Sequence, residues 1–142
     1  MVGDLKVDRN AQIRTGDSTW SDYEVSVKGE LIEGSNLQVL FRMSDDGRSF
    51  YAFDWGIVGK AALSRFGAKT ERVILSFVDY PIEAGREYRI AVSARGRTFK
   101  THIDGNLVHE LTDSTYSSGG VGFNMWHKAR VSFKEPKIRH YR

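Results

Sequence analysis

The sequence predicts an all-β domain, a two-sheet antiparallel jelly-roll sandwich with little helix. Three observations carry that expectation. Apolar and polar residues alternate with period two through most of the chain, the pattern of strands with one buried face. The 14 glycines fall between these runs, where turns are needed, and only two prolines interrupt the chain. The stretch from Arg86 to Arg142 then sets out a strand with a turn at Arg95-Gly96, a second turn at Asp104-Gly105-Asn106, a Gly-rich lead into an apolar strand at Gly119, and a closing strand in which Val131 and Phe133 alternate with polar residues.

In chain order, Tyr23, Val25, Val27 and Leu31 share one face of a first strong strand, with Glu24, Ser26 and Lys28 on the other. From Asn36 to Met43, the residues Leu37, Val39, Phe41 and Met43 point inward, and Gln38, Leu40 and Arg42 point away. Asp45-Asp46-Gly47-Arg48 reads as a hairpin turn. Tyr51, Phe53 and Trp55 then line the inner face of a return strand, with Ala52 and Asp54 outside. Lys60–Phe66 and Arg72–Phe77 form a further pair, although residues 60–76 carry enough Ala, Leu and Arg to tolerate a helical reading. Tyr88, Ile90 and Val92 alternate next, followed by Phe99, Thr101 and Ile103, then Leu107–Leu111, and then Val121, Phe123 and Met125 with Gly122, Asn124 and Trp126 opposite. The expected core is Trp20, Val25, Val27, Val39, Phe41, Phe53, Ile90, Val92, Val121, Phe123 and Phe133. Trp20 is expected to plug an edge of the sandwich.

The length fits one domain, 1–142, with a real core. The net charge of +3 comes from 21 basic residues interleaved with 18 acidic ones. With no basic run there is no nucleic-acid signature, and the expected partner is not nucleic acid. No apolar stretch approaches the roughly 20 residues of a membrane-spanning helix, so no membrane partner is expected. The first residues lack the basic start and apolar run of a signal peptide. Without cysteine there is no disulfide, thiolate metal site or Cys nucleophile.

No catalytic motif stands out. The Glu-x-Asp-x-x-Glu run that would aim two carboxylates at one sugar bond does not occur. Asp45-Asp46 is the only adjacent acid pair. It reads as a surface turn, with a structural calcium as the alternative, and no other cofactor is expected. The histidines 102, 109, 127 and 140 show no His-x-x-x-His spacing for zinc. Gly119-Gly120-Val121-Gly122 leads into a strand and not a helix, so a bulge or close backbone approach explains it better than a phosphate loop.

Several pieces together resemble the concanavalin A-like lectin/glucanase superfamily, in its laminin-G-like branch. They are Trp20-Ser-Asp-Tyr-Glu-Val, Leu40-Phe-Arg, Phe50-Tyr-Ala-Phe-Asp, the Tyr-x-Ile-x-Val at Tyr88, Ile103-Asp-Gly-Asn-Leu-Val, the Gly-x-Val-Gly-Phe region to Phe123, and Val131-Ser-Phe-Lys-Glu-Pro-Lys-Ile. The chain is similar to the 3-keto-disaccharide hydrolase family and to family 66 carbohydrate-binding modules. Lys134-Glu135 replaces the Arg-Asn pair usual in that hydrolase family, which favours a binding module. The resemblance implies a ligand on a concave sheet or its rim, an extracellular or cell-surface location within a longer chain, and an oligosaccharide or polysaccharide as partner. The alternatives are a glycoside hydrolase of that family and an adhesion or structural sandwich with a protein partner.

Strand parity supplies candidate residues on that face. They are Arg42, Asp54, Asn124 and Trp126, with Gln38, Arg65 and His127 at the margin. Planar Arg, Asp, Asn and Gln side chains can bridge neighbouring sugar hydroxyls, and Trp126 can serve as an apolar platform. An Arg42–Asp54 pair on this face is expected to hold both side chains rigid for a ligand. The other reading is a structural salt bridge on a solvated sheet.

Overall fold

Period-two alternation resolves into strands that stack as two sheets in the computed structural model. The structure describes residues 5–8, 12–56, 59–69, 72–126 and 130–141, with strand placement alone for 5–8, 12, 13, 125 and 126. The strands are β1 (Leu5–Asp8), β2 (Gln12–Thr15), β3 (Tyr23–Glu33), β4 (Asn36–Met43), β5 (Phe50–Trp55), β6 (Lys60–Phe66), β7 (Val73–Asp79), β8 (Glu87–Arg95), β9 (Thr98–Ile103), β10 (Asn106–Thr112), β11 (Gly120–Trp126) and β12 (Arg130–His140). The first sheet runs β1-β12-β3-β8-β9-β10 and the second β2-β11-β4-β5-β6-β7, all pairs antiparallel. Residues 60–66 form a strand, so their helical alternative falls away. Two β-strand partners satisfy β6 on both edges, and that tertiary pairing outweighs the helix propensity of Ala and Leu.

The core lies between the sheets. Val25 and Val27 of β3 and Ile90 and Val92 of β8 face Val39, Phe41, Tyr51, Phe53, Val121 and Phe123 of the second sheet. Burying such side chains is worth about 1.5–3 kcal/mol each relative to exposure. Every expected core residue is buried except Trp20. Trp20 is half-buried and packs edge-on against Tyr23 and His140, with ring centroids 5.9 Å and 4.7 Å away. It closes an end of the sandwich, with Gly16 also close against its ring. Trp55 is fully buried and donates its indole N–H to the Tyr80 carbonyl at 2.6 Å.

His109 on β10 is buried and bridges the sheets: Nε2 lies 3.1 Å from the Ala61 carbonyl of β6, and Nδ1 lies 2.6 Å from the Thr101 hydroxyl. A carbonyl only accepts, so Nε2 carries the proton and Nδ1 accepts from Thr101. The Thr101 oxygen in turn accepts the His109 backbone N–H at 3.1 Å.

The alternation of β4 breaks at its end. Opposite β11, Met43 pairs with Gly120 and Leu40 with Gly122, so Phe41 and Arg42 share Val121 as their opposite number. This is a β-bulge, and Arg42 takes a left-handed φ of 47° to make it. The extra residue reverses the side-chain parity. Arg42 turns inward, and Met43 turns out to join Leu40 and Ala52 in a small apolar cluster flanked by Phe50 and Phe66. Gly119 makes the close approach: a Cβ there would lie 2.3 Å from the Arg42 carbonyl carbon. The Gly-rich lead is therefore a backbone contact beside a bulge, as its strand context suggested.

Candidate functional site

The outward face of the second sheet carries a polar row. The register places Gln12, Asn124, Gln38, Asp54, Ala62 and Phe77 side by side on β2, β11, β4, β5, β6 and β7. The described side chains, from Asn124 to Phe77, share one face because each is a cross-strand neighbour of the next. Asn124 Nδ2 donates to Gln38 Oε1 at 2.9 Å, and Gln38 Nε2 donates to Asp54 Oδ2 at 3.0 Å. Asn36, one step along β4, donates to Asp54 Oδ1 at 2.5 Å. Arg72, just before β7, brings its guanidinium to 3.6 Å from Asp54 Oδ2 and donates from Nε to the Ser64 hydroxyl at 3.1 Å.

The relay has a direction. An ionised carboxylate only accepts, so Gln38 must turn its NH2 to Asp54 and its oxygen to Asn124. Asn124 must then present its own NH2 to Gln38. Its carbonyl oxygen is left as a buried acceptor with no hydrogen-bond partner among the described residues. Orphaned buried acceptors are uncommon, and this one ends a row anchored at the other end by a carboxylate.

An apolar edge flanks the row. Phe77 is 55% exposed and Ile74 50%, both on the same face of β7 as Ala62 and Ser64. Lys60 sits over the Phe77 ring at 5.8 Å and is ion-paired with Asp79. Asp54, Lys60, Ala62, Arg72, Ile74 and Phe77 enclose a cleft of about 120 Å³. An enclosing ligand pocket measures roughly 300–1,000 Å³, so this cleft is open and holds only part of a ligand. A small side chain makes the opening: Ala62 of β6 lies low between Asp54 of β5 and Phe77 of β7.

Two expected site residues lie elsewhere. Arg42 does not meet Asp54. It is 1% exposed and points into the end of the sandwich. There Nε and one terminal nitrogen donate to the Ser21 carbonyl at 3.1 Å and 2.9 Å, and the other terminal nitrogen donates to the Tyr116 carbonyl at 3.1 Å. Asp22 lies 3.3 Å away and the Phe99 ring 5.2 Å away. The bulge is the reason, since one inserted residue exchanges inside for outside. Tyr23 completes this node. Its hydroxyl donates to the Gly119 and Gly120 carbonyls at 2.9 Å and 3.2 Å and accepts the Arg42 N–H at 2.8 Å. Burial pushes its phenol up to about 12, so it keeps the proton it donates.

Arg65 also belongs to the inner face, because it pairs with Tyr51, an inward residue. It donates to Asp113 Oδ2 at 2.5 Å, and the same carboxylate accepts the Tyr51 hydroxyl at 2.5 Å. Trp126 ends β11 opposite Asn36, next to the polar row, and its side chain is not among those described. His127 lies outside the described residues. The Asp45-Asp46 pair forms the expected turn: Asp46 accepts from the Ser44 hydroxyl at 2.6 Å and the Arg48 N–H at 3.0 Å. Among the described residues no three His, Asp or Glu side chains cluster as metal ligands.

Sequence parity missed Asn36, Arg72, Lys60 and Phe77. Phe77 had no parity signal: two residues from the inward Leu75 it would alternate onto the same face, and a bulge in β7 opposite Leu63 and Ser64 turns it outward. Arg72 and Lys60 reach the row from strand ends, which parity does not address.

No family model matches the chain. A stretch of 95 residues, 66% of the chain, is 27% identical to a levanase of Bacillus subtilis (strain 168) and spans 14% of that protein. A stretch of 109 residues, 73% of the chain, is 28% identical to an extracellular exo-α-L-arabinofuranosidase of Streptomyces chartreusis and spans 13% of it. The chain therefore corresponds to about one-seventh of the length of the curated relatives it matches. Among solved structures, a family 66 carbohydrate-binding module from Bacillus subtilis superposes with a TM-score of 0.78 over 98% of this chain and 83% of its own, at 21% identity. The fold is that of these jelly-roll sandwiches.

Proposed function

We propose that this chain is a non-catalytic carbohydrate-binding module that takes the end of a saccharide chain on the outward face of its second sheet. The observation that carries the reading is the row Asn124–Gln38–Asp54, preset in one orientation and flanked by an exposed Phe77. A sugar ring presents a C–H face and a set of hydroxyls. Phe77 and Ile74 match the first, and Arg72, Lys60 and Asp54 match the second. We assign Trp126, at the end of β11 opposite Asn36, to the same site. The similarity to parts of a levanase and an arabinofuranosidase, and to a carbohydrate-binding module, supports the same reading. Both named activities concern furanose sugars, so levan and arabinan are the glycans to test first.

Binding is favoured over hydrolysis. A glycosidase sets two carboxylates about 5–9.5 Å apart across the bond it cleaves. Asp54 is the sole carboxylate among the residues that line this cleft, and Asn36, Gln38 and Arg72 already engage its oxygens. We place the chain as one domain within a longer exported protein, in keeping with the small share of its relatives that it matches.

A glycan array followed by titration calorimetry tests the proposal. Phe77→Ala and Arg72→Ala should each weaken binding about tenfold, the equivalent of 1.4 kcal/mol, with the melting temperature kept. Unchanged affinity in both variants would overturn the site.

A further inference from the structure

The outward face of the first sheet, on the far side of the molecule, holds a larger groove of about 350 Å³. Its floor is Ser93 of β8, whose short side chain leaves a trough between Glu24 on β3 and Lys100 on β9, its two cross-strand neighbours. Tyr141 closes one end, its hydroxyl 3.0 Å from that of Ser93. Arg95 and Arg139 both lie over the Tyr141 ring, at 4.5 Å and 5.3 Å. His102 and Lys100 line the wall on β9.

The charges in this groove are unequal. Its carboxylate, Glu24, is already held by Arg139 at 3.7 Å. Lys100 reaches Glu110 at 3.5 Å, with both side chains about half exposed, a pair worth little and easily exchanged. Arg95 has no carboxylate within ion-pair distance among the described residues. Its guanidinium lies 4.5 Å over the Tyr141 ring, and a guanidinium's N–H fork binds a carboxylate or sulfate through two parallel hydrogen bonds. The volume is that of a pocket for a small ring, and hydroxyls from Ser93 and Tyr141 line its base.

We propose that this groove is a second binding site, specific for an acidic saccharide, with Arg95 and Lys100 gripping the carboxylate or sulfate ester and the Ser93 and Tyr141 hydroxyls meeting the ring. The hydroxyl floor favours a sugar over an acidic peptide. The site shares no residue with the Asp54 row and does not depend on the reading given to that row.

Affinity electrophoresis in native gels, at about 0.1 M salt where diffuse surface attraction is screened beyond ~10 Å, tests it. The gels carry polygalacturonate (carboxylate only), dextran sulfate (sulfate only), levan (neutral) or poly-L-glutamate. At least one acidic polysaccharide should retard the protein. The Arg95→Gln/Lys100→Gln variant should be retarded at least fivefold less strongly, while Phe77→Ala is retarded as the unmodified chain is. Lys134→Gln/Lys137→Gln makes the same charge change on the same sheet outside the groove and should leave retardation in place. Failure of both acidic polysaccharides to retard the protein would overturn the proposal. An equal loss in the Lys134/Lys137 variant would reduce it to diffuse charge, and stronger retardation by poly-L-glutamate would overturn the ligand class. Loss of levan retardation in Phe77→Ala alone bears only on the second sheet.

Discussion

Arg42 and Asp54 sit on neighbouring strands of one sheet, and strand parity gives them a common face. The structure separates them. At the Arg42 node every donor nitrogen meets an acceptor of the chain itself: Ser21 and Tyr116 carbonyls, the Asp22 carboxylate and the Tyr23 hydroxyl. In the Asp54 row the bonds run in one direction and finish at an acceptor with no partner among the described residues, beside exposed apolar side chains. A saturated cluster rigidifies a fold and has nothing left for a ligand, whereas an unsaturated row beside a cleft does. Type and burial alone do not tell the two apart, since both Arg42 and Asp54 are buried. What distinguishes them is whether the hydrogen-bond inventory closes.

The comparison breaks if the node tolerates truncation. Arg42→Ala should lower stability most, by about 3 kcal/mol, because it leaves the Ser21 and Tyr116 carbonyls without donors. Urea denaturation checks this, and a midpoint like that of the unmodified chain would show the node to be dispensable. Tyr23→Phe should cost less, about 1–2 kcal/mol, since it strands the Arg42 N–H but keeps the ring in the core. The difference between those two midpoints measures how much of the node belongs to the guanidinium.

His109 extends the saturated class to a titratable group. Burial holds its imidazole below the ordinary value of 6.5, despite the opposing bond to the Ala61 carbonyl. The unfolded chain therefore takes up a proton near pH 6.5 that the folded chain refuses until lower pH. Its contribution to stability is present in full above about 6.5 and is lost as pH falls from there toward the folded value. Denaturation midpoints between pH 8 and 5 should show this fall, and His109→Gln should flatten it. A slope unaffected by the substitution would assign it to other groups.

The smallest stability effect belongs to the open row. Arg72→Ala and Phe77→Ala, at half-exposed and exposed positions, should each shift stability by less than about 0.5 kcal/mol. Losses comparable to that of Arg42→Ala would erase the contrast and make the row a structural element.

Most of the fold was legible because alternation is local. Val25, Val27, Ile90 and Val92 could be placed inside from their neighbours alone, and the parity of Asn124, Gln38 and Asp54 came from the same rule. That rule counts residues along a strand and assumes none is inserted. A single bulge at Arg42 moved the most prominent candidate from the binding face to the interior, and nothing within Leu40-Phe41-Arg42-Met43 announces it. Its signal was distant, in Gly119, whose missing side chain lets its backbone approach Arg42 and Met43. Arg65 was misplaced for a different reason: it was grouped with Asp54 by sheet neighbourhood, while its cross-strand partner Tyr51 faces inward.

The sequence by itself determined the alternating strands from Tyr23 onward, the two-layer class, the core residues apart from Trp20 and the shared parity of Asn124, Gln38 and Asp54, because side-chain alternation follows from the pleat. Only the tertiary structure decided which polar side chains were already satisfied. It delivered Arg42 to the carbonyls of Ser21 and Tyr116, brought Arg72 and Phe77 from an edge strand to Asp54, and opened a groove at Ser93. Those meetings join residues far apart in the chain, and hydrogen-bond saturation is a property of the assembled surroundings that no residue carries in its own neighbourhood.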